Sequence, residues 1–101
     1  MRTLQFKVTQ QKLKKNGDFS GIVSGTKGYL EAAFLFSEEW IGMKKVAVFY
    51  RYHDKEYPVP IINGKCLVPE EVTGCTSWKV RVVGQNEECR ITTDEEEVKQ
   101  I

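Results

Sequence analysis

The chain has 101 residues, one ordinary domain's worth, and burying roughly two-thirds of its unfolded surface leaves no need for disulfides or a metal to hold it. With 41% hydrophobic and 29% charged residues the composition is that of a globular protein, and a formal net charge of +1 excludes a global attraction to nucleic acid or to an anionic membrane surface. Three cysteines (Cys66, Cys75, Cys89), spaced by nine and fourteen, cannot all pair and match no zinc pattern with the lone His53, which implies reduced thiols and synthesis in a cytosol.

Period-two alternation dominates the chain. Leu4, Phe6 and Val8 alternate with polar neighbours and predict a half-buried strand at or near a sheet edge. The start Met1 to Val8 has no continuous apolar run of the export-signal kind, and no segment approaches the ~20 apolar residues of a membrane span. Gln10 to Lys15 reads as a polar, basic connection, Asn16-Gly17-Asp18 as a turn, Phe19 to Val23 as a short strand, and Ser24 to Gly28 as a loop. Tyr29 to Phe36 is expected as a strand with Leu30, Ala32, Phe34 and Phe36 on one face; its Leu-Glu-Ala content alone would also suit a helix.

Ser37-Glu38-Glu39-Trp40 to Gly42 reverses the chain into a Val-rich and aromatic strand from Lys45 to Tyr52. His53-Asp54-Lys55 is read as a hairpin tip, and Pro58 and Pro60 mark Glu56 to Ile62 as an edge strand. Asn63-Gly64 predicts a two-residue hairpin joining Val59–Ile62 to Lys65–Val68, and Pro69 starts one helical turn. Trp78 to Val83 alternates again, Gly84 to Glu88 turns, and Cys89–Thr93 and Glu97–Ile101 finish the chain as short strands. About seven to nine short strands with turns between them and no long helical period predict an all-β, antiparallel sandwich over residues 1–101.

Catalytic chemistry finds little support. His53 is the only histidine and sits at a predicted turn tip; Ser20-Gly21 and Ser24-Gly25 lack the flanking glycines of a nucleophile elbow. No base is indicated for a cysteine nucleophile, adjacent Glu38 and Glu39 point apart, and Asp94 to Glu97 lacks the alternating oxygens and glycine of a calcium loop. The expectation is therefore no enzyme, cofactor or metal. Basic residues beside aromatics (Lys12, Lys14, Lys15 with Phe6; Lys44, Lys45, Arg51 with Tyr50 and Tyr52) leave an OB-like single-strand binder as a minor alternative, opposed by the near-neutral charge.

Charge is placed unevenly. Residues 1–15 carry five basic residues and no acid, while residues 87–101 carry six acids against Arg90 and Lys99. The two ends are expected to pair within the fold or between neighbouring copies, which makes Lys12, Lys14, Lys15, Glu95, Glu96 and Glu97, together with Tyr50 and Tyr52, the candidate interface residues.

The run Phe36-Ser-Glu-Glu-Trp-Ile-Gly-Met-Lys-Lys-Val-Ala-Val-Phe49, then Tyr57-Pro-Val-Pro60, Asn63-Gly64 to Val72, Trp78 to Gly84 and Arg90 to Thr93, resembles small immunoglobulin-like domains of phage and prophage virion proteins. It is similar to the N-terminal domain of the baseplate upper proteins of siphophages of Gram-positive bacteria. The resemblance runs from about Tyr29 to Val98 and implies an immunoglobulin-like sandwich in a virion component made in the bacterial cytoplasm. Its partners would be other virion proteins or further copies in a ring or fibre, without a membrane and without nucleic acid. Members place the domain ahead of helical or fibre segments, so an excised domain or a small virion protein is expected. The alternative of a different class is a phage effector that binds and inhibits a host protein.

Overall fold

The computed structural model describes residues 1–52 and 55–101; the reading of His53 and Asp54 as a hairpin tip lies outside the described residues. In chain order the strands are β1 (Arg2–Thr9), β2 (Lys12–Lys15), β3 (Leu30–Phe36), β4 (Lys44–Tyr50), β5 (Glu56–Pro60), β6 (Lys65–Leu67), β7 (Ser77–Gln85), β8 (Arg90–Thr92) and β9 (Glu96–Lys99). A 3-10 turn at Glu38–Trp40 precedes β4, and one helical turn, α1 (Glu70–Thr73), lies between β6 and β7. The described strands form two sheets, β2-β1-β3-β6 and β5-β4-β7, the latter with β8 and β9 following one another along the outer side of β7.

The alternation reads directly into the layers. Leu4, Phe6 and Val8 of β1, Leu30, Ala32 and Phe34 of β3, Ala47 and Phe49 of β4, and Trp78, Val80 and Val82 of β7 are buried between the sheets. A row of rings crosses this core, from Phe19 through Phe6, Phe34 and Phe36 to Trp40, with successive centroids 5.2, 5.3, 5.9 and 5.3 Å apart. Such pairs add about 0.5–1.5 kcal/mol each beyond their buried area. The two tryptophans are pinned by hydrogen bonds as well as by packing. Trp40 Nε1 donates to the Gln10 carbonyl (3.0 Å), tying the β3–β4 turn to the tip of β1. Trp78 Nε1 donates to Gln100 Oε1 (3.0 Å), and Gln100 in turn donates to the Thr73 carbonyl (3.0 Å), joining the end of the chain to α1.

Four expectations are corrected. Gln10 to Lys15 is no loop: Gln10 takes φ 54° and turns β1 into β2, which pairs from Thr9–Lys12 to Phe6–Lys15. The sheets are not wholly antiparallel, because β3 returns beside β1 in the same direction, from Arg2–Leu30 to Val8–Phe36. Phe19 to Val23 forms no strand; Gly21, at φ 68°, breaks the extended run, yet Ile22 still buries and bonds the last residue through its carbonyl (Ile101 N–H, 2.7 Å). Asn63-Gly64 makes the expected tight turn, with positive φ at both residues and Ile62 bridging Lys65, but β5 and β6 then diverge into different sheets. A hairpin turn sets a reversal over two residues; which sheet each arm joins is decided by burial further out.

Candidate interaction surface

Two of the sheet edges, β2 and β5, are blunted by the chain itself. The β1–β2 register points the amides of Leu13 and Lys15 away from β1, and they donate to Asp94 Oδ1 (2.8 Å) and Glu96 Oε2 (3.3 Å). Asp94 completes the seam: its own amide donates to the Gln11 carbonyl (3.0 Å), and its Oδ2 meets Lys12 Nζ at 3.3 Å. The basic start and acidic end of the chain therefore meet within one molecule along this seam. On the opposite sheet edge, Ile61 N–H donates to the Lys45 carbonyl (2.9 Å), which sets Tyr57 and Val59 toward β4 and turns the nitrogens of Pro58 and Pro60 outward. Proline has no amide hydrogen to offer an incoming strand. Edges blunted in this way resist strand addition and leave the two sheet faces as the broad surfaces.

The outer face of the five-stranded sheet carries an ordered polar network over an apolar floor of Val46, Val48 and Val83. The Tyr50 hydroxyl donates to Glu95, which also meets Lys79 Nζ at 3.4 Å. Arg81 lies over the Tyr50 ring, 5.5 Å from its centroid, and its Nη1 meets Glu56 Oε2 at 2.9 Å. Burial first, and the Glu95 carboxylate second, push the Tyr50 hydroxyl up to about 12, while Arg81 holds Glu56 below the usual carboxylate range. Pairs this exposed contribute little to stability individually but fix side-chain positions when they interlock.

The other broad face belongs to the four-stranded sheet. Lys7 stands directly opposite Lys14 on one side and Leu35 on the other; the next rows are Gln5–Ala33–Lys65 and Thr3–Glu31–Leu67. Leu35, near the end of β3, and Leu67, on the edge strand β6, are solvent-exposed on this face.

The candidate residues are thus divided. Tyr50 and Glu95 meet on the five-stranded face, Lys12 and Glu96 lie in the seam, and Lys14 is on the four-stranded face. Lys15 turns the other way, its Nζ 5.6 Å from the Phe19 ring centroid; Tyr52 is exposed beneath the Arg51 guanidinium, and exposed Glu97 pairs in register with Lys79. Lys7, Arg81, Glu56 and Asp94 were not among the candidates. Pairing Lys7 with Lys14 requires β2 to be recognised as a strand; Arg81 and Glu56 require the β5-β4-β7 order, which adjacency in the sequence does not carry.

Among the described residues no three His, Cys, Asp or Glu side chains gather as a metal-binding group, and no helix is long and apolar enough to cross a membrane. Burial pushes the Cys66 thiol up to about 12, away from nucleophilic use, while Arg51 Nη1 donates to Cys75 Sγ. Glu39 is hydrogen-bonded to the Ser37 hydroxyl (2.7 Å) and not to Glu38. No family model, no curated protein and no solved structure matches this chain.

Proposed function

We propose that this chain is a non-enzymatic, immunoglobulin-like structural module of a phage or prophage particle, acting by protein–protein contact through its sheet faces. The observation that carries the reading is the blunting of the β2 and β5 edges by the chain's own residues, Asp94 and Glu96 at the first and Pro58 and Pro60 at the second. A module that must sit beside many identical neighbours benefits from edges that cannot recruit strands, because specific assembly then runs through side chains on the faces. A standard interface takes on the order of 800 Å² per partner. The whole molecule exposes 6244 Å², so either face has room for one. The all-β two-sheet architecture and the resemblance of Tyr29 to Val98 to virion domains support the same role.

Quantitative mass spectrometry of purified particles tests it. The chain is expected at a fixed copy number relative to the other particle proteins. Its absence from particles while it is abundant in the host cytoplasm would overturn the reading and favour a host-directed effector.

A further inference from the structure

On the outer face of the four-stranded sheet, Lys7 and Lys14 face each other directly across the β1–β2 ladder, a like-charge pairing that costs stability. Neither has an acidic partner within ion-pair distance among the described residues. Leu35 completes the row, 64% exposed beside Lys7. Just beyond the end of β3, the Glu38–Trp40 turn presents the opposite chemistry: Glu38 and Glu39 are exposed, followed by Ile41 at 79% exposure. Trp40 is fully buried and anchors this turn to Gln10, so the acids are held on a fixed corner. The same chain therefore displays two cations beside a leucine and two carboxylates beside an isoleucine, with no ion pair joining them internally.

We propose that the Lys7–Lys14–Leu35 patch of one copy binds the Glu38–Glu39–Ile41 corner of a second copy of this chain. The inference deepens the reading of the chain as an assembly module and rests on it. A second copy is favoured because this one chain carries both halves of the complementary surface, at the same end of β3. A two-fold dimer would then form the contact twice, each patch meeting the other's corner. Nucleic acid fits less well, since the exposed carboxylates of Glu38 and Glu39 repel phosphate. The two lysines stand where they do because the face is completed by carboxylates from outside the molecule.

Light scattering after size exclusion, with sedimentation equilibrium, reads the contact on the unmodified protein. Association should weaken with salt, since the Debye length falls from about 10 Å at 0.1 M to about 3 Å at 1 M. Lys7→Glu/Lys14→Glu and Glu38→Lys/Glu39→Lys should each weaken self-association about tenfold or more, and an equimolar mixture of the two should restore it, because every reversed patch then meets a reversed corner. Circular dichroism checks that each variant folds; the salt titration of the unmodified chain decides the matter independently of them. A chain that stays monomeric up to about 1 mM, association unchanged by salt, or a mixture that fails to recover would each overturn the proposal. Self-association without presence in particles would sink the particle role and leave this contact standing. Presence in particles with a monomeric chain would do the reverse.

Discussion

The indole of Trp40 packs against Gly84 so closely that a methyl group at Gly84 would stand 2.6 Å from the ring carbon Cζ3. Gly84 sits on the inner side of β7 and Trp40 closes the β3–β4 turn, so this contact joins the two sheets at one end of the core. Gly84→Ala must displace the ring or bend β7, and should destabilise the fold by about 1–3 kcal/mol. Trp40→Ala, which also removes the bond to Gln10, should cost about 3–5 kcal/mol. Urea denaturation checks both, as a lowered midpoint at unchanged slope.

Asp94 acts as an edge cap more than as a surface ion pair. Asp94→Ala leaves the part-buried Leu13 amide without its acceptor, with an expected loss of about 1 kcal/mol. Asp94→Asn keeps an acceptor and should lose less. Hydrogen exchange gives the site-resolved check: the Leu13 amide should exchange much faster in the alanine variant, with the Lys14 amide, which faces β1, little changed.

Tyr50 makes stability depend on alkaline pH. Its folded value, about 12, lies above the ordinary 10.0, so the folded state holds the proton more tightly than the unfolded chain does. The stabilisation is complete below pH 10, declines as pH rises through the window between the two values, and is lost above the folded one. Tyr50→Phe should flatten that decline. Spectroscopic titration of the tyrosinates should show a late-ionising component in the unmodified protein that Tyr50→Phe removes.

The cysteines should separate by burial. Cys66 is buried with its thiol pushed up to about 12, whereas Cys89 is exposed. A thiol reagent at neutral pH should label Cys89 rapidly and Cys66 only on unfolding; rapid labelling of Cys66 in the native protein would contradict this packing.

Much of the layer structure was legible because alternation is a local property. The inward sets of β1, β3 and β7 follow from period two alone, and Pro58 and Pro60 marked β5 as an edge from the missing donor. What was hidden is non-local. β2 reads Lys-Leu-Lys-Lys, with a single buried residue, Leu13, too short a pattern to separate from a basic loop. Without β2, Lys7 has no opposite number and Asp94 no edge to cap, so the seam and the Lys7–Lys14 pair were both out of reach. The parallel return of β3 depends on the crossing of residues 16–29, whose glycines signal only irregular chain. The Tyr50–Glu95 bond joins residues 45 positions apart, brought together only when β9 is laid along β7.

Cross-linking mass spectrometry on intact particles tests the central claim most directly, because it reads presence and contact together. The account predicts that the chain is found in the particles and that its face lysines, Lys7 and Lys14, link to residues of another subunit. Particles that lack the chain, or contain it with those lysines linked only within their own molecule, would contradict it.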